Sequence, residues 1–435
     1  MRRAITYLTL TSAAVVLFSA PQAQAGGFSI YEQGARAMGR ASAFVAAPND
    51  PSAMFYNPAG LALLDGTQLY IGGTIIAPIG KFYGTDPYPG YGVEERQHYQ
   101  FFTPPNAYLS HRLNEKVVLG FGITAPFGLG TAWHHPNTFT GRYLSTDTNL
   151  EAISFTPTVG YSASDRLSLG LGLDYRISQL TLQRYVGALN PNDNRVHDIA
   201  TTALESEWGS GFGFNLGLLY DVSERVSLGL AYRGGMKIEY DGAATLTQIL
   251  TGDTFFDTQV ASMLGDGTAD LTTSIDFPGS VTGGVAYKVS PELLVEGDLN
   301  FTMWSAFEKL ESEGLAEDPD SQLEDLNVPE DYEDTITLRF GAEYLYTDML
   351  TLRAGYLWDQ GPSPPESVSP LLPDANRNGF TVGMGIDLGT VTLDWASMYL
   401  KFDEASTEMK NHAGFDGVYD SSAWLMAFNV SYPIR

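Results

Sequence analysis

Reactive side chains are sparse in this sequence and spaced for binding rather than for making bonds. His134 and His135 are adjacent beside Trp133, and neighbouring side chains diverge on most backbones, so no metal centre is expected there. The absence of cysteine removes disulfides and a lipoprotein anchor. No GxSxG, HExxH or Walker pattern occurs, and Gly170-Leu171-Gly172 lies inside an alternating segment rather than ahead of a helix. The expectation is a protein that is not an enzyme and uses neither cofactor nor metal. The charges that do stand in pattern are Arg176, Arg339 and Arg353, on the same faces of their segments as Asp174 and Glu343. Two chemistries fit them. One is mutual neutralisation of buried charges; the other is bidentate capture of a substrate carboxylate by a guanidinium.

The elements that carry these arginines repeat. Six short polar turns run into alternating segments: Leu113-Asn114-Glu115-Lys116, Ala163-Ser164-Asp165-Arg166, Val222-Ser223-Glu224-Arg225, Val289-Ser290-Pro291-Glu292, Tyr346-Thr347-Asp348-Met349 and Leu388-Gly389-Thr390. Long irregular stretches separate them. Segments of about ten alternating residues, with short turns on one side and long loops on the other, mark a transmembrane β-barrel. With both chain ends on the short-turn side, six turns imply seven hairpins and fourteen antiparallel strands. From Leu167 one face reads Leu167, Leu169, Leu171, Leu173, Tyr175 and the other Ser168, Gly170, Gly172, Asp174, Arg176. A soluble sandwich would alternate too, but it would not bury such charges, whereas a barrel of this size can enclose a polar lumen.

Met1-Arg2-Arg3, an apolar run to about Ala20 and Gln22-Ala23-Gln24-Ala25 read as a signal peptide over residues 1–25. Its removal leaves 22 basic against 51 acidic residues, which argues against nucleic acid. No later run reaches the roughly 18 apolar residues of a spanning helix, so any membrane crossing belongs to strands in a closed barrel over 65–435. Residues 26–64 do not alternate. Their small residues and the Asn57-Pro58-Ala59-Gly60 breaker suggest an N-terminal hatch packed in the lumen, with Asn57, Pro58 and Ala59 fixing a bend.

Two further features bear on function. Gly120, Gly122 and Pro126 fall in the third strand, beside Pro104-Pro105 of its partner; glycine weakens a ladder and proline cannot donate to it, so a kink or gap in the wall is expected. Residues 241–275 hold Leu246, Ile249, Leu250, Phe255 and Phe256 at partly helical spacing. These either cap the barrel mouth or form an external apolar groove, with 181–209 as its opposing wall. The 311–334 stretch has eleven acids and reads as a solvated loop, with divalent-cation or lipopolysaccharide contact as the lesser alternative.

Several short motifs together resemble the outer-membrane long-chain fatty acid transporters, the FadL family, whose members also import other hydrophobic compounds. They are Gly26-Gly27-Phe28, Gly39-Arg40-Ala41, Asn57-Pro58-Ala59, Gly141-Arg142-Tyr143, Phe277-Pro278-Gly279-Ser280, Trp304-Ser305-Ala306-Phe307, Asp334-Thr335, and Leu352 to Tyr356 through Asp359-Gln360 to Leu372-Pro373-Asp374 and Arg377. The resemblance spans nearly the whole mature chain and implies a fourteen-strand barrel with a hatch in a Gram-negative outer membrane. It implies that ligand lands on a surface groove, passes to a deeper pocket that Phe28 enters, and leaves sideways at the kinked third strand. The expected partners are a long-chain fatty acid or a neutral hydrophobic small molecule, together with outer-membrane lipid and lipopolysaccharide; a monomer is expected. Rival readings are a surface adhesin or structural barrel, and a barrel-embedded lipid hydrolase.

Overall fold

The computed structural model describes residues 26–313 and 327–434; the signal-peptide reading and most of the acidic 311–334 stretch fall outside these. Fourteen antiparallel strands close a ring. They are β1 (Thr67–Gly84), β2 (Pro105–Arg112), β3 (Val117–Ala132), β4 (Asp147–Ser164), β5 (Leu167–Asn190), β6 (Gly209–Asp221) and β7 (Val226–Arg233). The second half comprises β8 (Ser280–Lys288), β9 (Leu293–Thr302), β10 (Thr335–Thr347), β11 (Leu350–Asp359), β12 (Arg377–Asp387), β13 (Thr392–Phe402) and β14 (Gly417–Ile434). Closure is by β1 on β14, in unbroken register from Thr67↔Ile434 to Gly84↔Gly417.

The six short turns share one device. A side-chain oxygen accepts the backbone N–H two residues on, and in five of the six also the next one. Asn114 does this for Lys116 and Val117, Ser164 for Arg166 and Leu167, and Ser223 for Arg225 and Val226. Ser290 serves Glu292 and Leu293, Thr347 serves Met349 and Leu350, and Asp387 serves Gly389. Asx- and Ser/Thr-turns replace the ladder where the strand must reverse. The alternation then sorts side chains by face: Leu169, Leu171 and Leu173 are exposed outside, while Ser168, Asp174 and Arg176 are buried inside. No helix among the described residues is long and apolar enough to cross a membrane.

Residues 26–64 lie inside the ring as α1 (Ala35–Met38), α2 (Ala53–Tyr56) and a 3-10 turn over Pro58–Leu63. On the long-loop side, β5 continues into a sheet with Arg195–Ser206, Met236–Gln248 and Thr268–Phe277. The helix α3 (Thr254–Leu264) is capped by Asp253, whose carboxylate accepts the N–H of Phe255 and Phe256.

This module corrects one expectation. Leu246 and Phe256 are buried in the module's own core with Ile199, Val260 and Leu271, so they hold the loop together rather than face a ligand. Ile249 donates its N–H to Ile199 O, while Leu250 and Phe255 are exposed. The 181–209 stretch is the adjacent strand pair of the same sheet, not an opposing wall. Strand pairing of 236–248 from both sides leaves no cleft between them.

Candidate functional site

The sequence at the start of the described chain fixes the site. Gly27 has φ +60°, and a side chain there would collide with the Trp304 ring; glycine is needed for both reasons. The turn it permits drives Phe28 into an aromatic cage, where it is only 4 % exposed. Ring centroids of Trp304, Phe307, Phe127 and Phe277 lie 4.9, 5.4, 5.8 and 6.0 Å away. Three of these contacts are edge-on and the fourth, with Phe127, is tilted, the arrangement that ring quadrupoles favour. The Arg176 guanidinium caps the cage 4.7 Å from the Phe127 centroid. It is already engaged by Asp174 at 2.8 Å and Ser154 at 3.0 Å.

The wall beside the cage is interrupted. Pairing of β3 with β4 slips between Thr124 and Phe127, because the backbone turns out of register at Ala125-Pro126. On the other edge of β3, β2 pairs only as far as Ala107↔Ile123, and β1 loses β2 at Gly73↔Pro105. The exposed backbone groups of the kink are satisfied from inside the barrel. Gly128 N donates to Phe28 O at 3.0 Å and Ile30 N to Pro126 O at 2.9 Å. The Gln33 amide closes the rest, donating to Ala125 O at 2.7 Å and accepting Ala125 N at 3.1 Å. Phe102 bridges to Ile76 of β1 and its ring lies over Gly130 of β3.

A cavity of about 420 Å³ runs through this gap. It reaches from Phe28, Leu400 and Arg377 inside to Ile79 and Ile153, whose positions belong to the lipid-facing register of β1 and β4. At its inner end Asp374, on the loop before β12, accepts the Gly27 N–H at 3.0 Å. Burial pushes the Asp374 carboxyl well above the usual carboxylate range, opposed by Arg377. Arg377 is itself held by Asp359, Nε to Oδ2 at 2.8 Å. Above the cage, Glu330 is buried, with Asp331 the nearby charge, and burial pushes its pKa up to about 8. One Glu330 oxygen and the Tyr332 hydroxyl have no hydrogen-bond partner among the described residues.

The residues singled out from the sequence separate into distinct places. Arg353 is clamped by Glu343 at 2.6 Å and Asp394 at 2.8 Å, far down the lumen against Gly39 and Gly385. Arg339 donates to Ala41 O at 3.2 Å and stacks over Tyr31 at 4.2 Å. Both hold the N-terminal segment and do not line the cavity. Asn57 accepts Ala59 N and donates to Val45 O and Leu218 O. Pro58 and Ala59 then lie directly on Gly170, and Asn57 on Gly217, with no room for a Cβ at either glycine.

Gly120 and Gly122 need a correction as elements of the gap. Their ladder to β4 is intact, Gly120↔Thr158 and Gly122↔Thr156. They make space for Met54 and Tyr108, and on the β4 side the break is confined to Ala125-Pro126. The His134 ring lies tilted, 4.9 Å from His98 and 5.7 Å from His135.

Sequence reasoning missed Arg184. It shares the register of buried Leu182 on β5, its Nε has no partner, and no carboxylate among the described residues pairs with it. The signal was present. Arg176 has Asp174 two positions back on its own face, whereas Arg184 has Leu182 and Val186. Gln33, Phe102 and the Asp359–Arg377–Asp374 group were also missed as parts of the site, because only the folded chain brings them to the gap.

The family model described as outer membrane protein transport protein (OMPP1/FadL/TodX) matches residues 16–433. A long-chain fatty acid transport protein of Escherichia coli O6:H1 is 25 % identical over 96 % of each chain. A 47 kDa outer membrane protein of Pasteurella multocida is 28 % identical over 98 % of each. Among solved structures, a Pseudomonas aeruginosa FadL homologue superposes with TM-score 0.78 at 21 % identity, covering 94 % of this chain and 100 % of that one. The Pseudomonas putida toluene transporter TodX gives 0.69 at 19 %, over 92 % and 97 %.

Proposed function

The chain belongs to the OMPP1/FadL/TodX family of outer membrane transport proteins for hydrophobic compounds, and from that premise we propose that it imports long-chain fatty acids by lateral release through its wall. Residues 1–25 act as the signal peptide and 26–64 as the hatch of the barrel. The observation that carries the reading is the single cavity joining the Phe28 cage to the lipid-facing side of β3. Residues 28–33 occupy the cage and complete the kinked strand at once. One movement of the hatch terminus therefore empties the pocket and opens the gap. Ligand is first met by the exposed Leu250 and Phe255 on the loop module, then enters the cage with its chain among Leu182, Leu129 and Leu150. Burying that chain gains about 25 cal/mol per Å². Arg184, a half-buried guanidinium two residues beyond Leu182 with no carboxylate at bridging distance among the described residues, takes the head group.

The finer substrate choice rests on Arg184. Hydrogen bonds to a charged group contribute about 1.5–3 kcal/mol, so Arg184→Gln should weaken oleate binding and uptake roughly 10- to 100-fold. Toluene uptake in the same cells should be unchanged. An equal fall in both would assign Arg184 to loop structure. Unchanged oleate uptake would favour neutral hydrocarbons, as would the pairing of Arg377 with Asp359 inside the cavity.

A further inference from the structure

A second surface lies outside the barrel. The start of β1, the end of β14 and the short turns share one rim, so the opposite rim, with the long loops, is extracellular. On that rim, across three neighbouring strands, stand Lys401 of β13, Asp420 of β14 and Lys81 of β1. Lys81 alternates with buried Gly80 and Phe82 and so faces outward. Its direct partner on the far side is Arg96, on the strand Glu94–Arg96. Like charges placed directly opposite in antiparallel strands are destabilising, and here only the Arg96 side is bridged by a carboxylate. Asp420, the direct partner of Lys81 on β14, is held by Lys401, and Glu94 is held by Arg96. Lys81 has no carboxylate at bridging distance among the described residues. Three cations thus face two carboxylates, in a chain of net charge −27.

The depth of the row is marked by its own strands. Tyr399 and Trp424 are direct cross-strand partners on the same outer face, with ring centroids 4.8 Å apart. Exposed Met426 and Phe428 continue below them. Such aromatic girdles sit at the boundary of the hydrocarbon. Lys401 follows two residues beyond Tyr399, about 7 Å along the strand, which puts the cations at head-group height. Beside them Tyr99 and Phe101 are 71 % and 72 % exposed, more than the wall residues around them, and offer apolar surface at the same level.

We propose that this rim is a docking surface for the phosphorylated glycolipid of the outer leaflet, lipopolysaccharide, with a phosphate lodged between Lys81 and Arg96 and within reach of Lys401. The phosphate resolves the like-charge pair, the aromatic band receives the acyl chains, and the acidic remainder of the surface confines the lipid to this sector.

The test uses the folded full-length protein in detergent and native mass spectrometry, with bisphosphorylated lipid A, dephosphorylated lipid A and phosphatidylglycerol as probes. Wild type should retain bisphosphorylated lipid A at least tenfold better than either of the other two. The variant Lys81→Gln/Arg96→Gln/Lys401→Gln should lose that preference, while Lys116→Gln/Lys288→Gln on the short-turn rim keeps it. Equal retention of lipid A with and without phosphates by wild type overturns the proposal, even if the triple variant fails to fold. So does equal retention of phosphatidylglycerol, or a triple variant that keeps the preference.

Discussion

The two halves of the hatch are held by different physics. From Ala35 to Leu63 the segment is fastened to the wall by close backbone contact and buried charge. Asp298 accepts the N–H of Phe44 and Val45, and Glu296 those of Ala46 and Ala47. Arg40 stands 3.7 Å from Glu296, and Arg36 bridges Asp50 and Asp394. Wall glycines on many strands, among them Gly160, Gly170, Gly217, Gly341 and Gly355, let hatch backbone touch strand backbone. From Gly27 to Gln33 the fastening is rings, two backbone bonds to β3, the Gln33 amide, hydroxyls of Thr74 and Tyr108 on the Glu32 and Gln33 carbonyls, and one N–H, that of Gly27, on Asp374. Such contacts can be exchanged for a ligand of similar shape, whereas unpaired buried charges cannot be left behind without a large penalty. The difference marks the first half as fixed and the second as exchangeable.

The comparison is broken most severely at the fixed half. At Gly170 an added Cβ would overlap the Pro58 carbonyl carbon, a backbone atom with nowhere to go. Gly170→Ala should therefore unseat the Asn57 bend and make the barrel leak small polar antibiotics, measured as a sharp rise in their entry. At Gly283 nothing lies within 4 Å of the added Cβ, and Gly283→Ala should leave permeability and heat-modifiable migration unchanged. Overpacking of the first kind costs typically 1–3 kcal/mol or more.

The exchangeable half predicts the opposite pattern. Phe28→Ala should leave barrel assembly intact but bind oleate about tenfold more tightly, since a bound-competent cage is then populated without displacement of the ring. Titration of the purified variant against wild type reads this directly. Unchanged affinity would mean that Phe28 is not in competition with ligand.

The smallest effect is one of pH. The Glu330 carboxyl is raised by burial from an ordinary 4.5 to about 8. The folded state therefore binds the extra proton between those values, and stability of the loop cap should fall as pH rises from about 4.5 to about 8. Melting of wild type should drop slightly over that window, and Glu330→Gln should flatten the profile. A wild-type profile rising with pH in that range would contradict the burial of Glu330 as a charged-form penalty.

Much of the fold was legible because each wall strand meets a uniform demand, apolar outward and small or polar inward, and each short turn repeats one side-chain device. The fourteen-strand count follows from six such turns. The loop module was not legible in the same way. Leu246 and Phe256 look ligand-facing only when the pairing of Leu246 with Thr202 and the packing of the Phe256 helix on that sheet are unknown, since a sheet core and a groove have the same composition. Gly120 and Pro126 are both ladder-weakening residues in sequence. Only the contact with Met54 separates the glycine that seats the hatch from the proline that breaks the wall. Arg184 was legible in principle, through the missing carboxylate at i−2. Asp374, Asp359 and Arg377 were visible as a motif, but their place beside Gly27 depends on how the hatch terminus threads the lumen.

The most direct test of the exchangeable half is to lock it in place. Ser29 and Phe127 are direct partners in the bridge between the hatch terminus and β3, and the chain has no native cysteine. In Ser29→Cys/Phe127→Cys, the hatch terminus cannot leave the kinked strand once the disulfide forms. With cross-linking complete and the barrel folded, oleate uptake should fall by more than tenfold and return on reduction, while each single-cysteine variant transports at one rate in both conditions. Oxidised double-cysteine protein that imports oleate as fast as its reduced form would contradict lateral release through this gap.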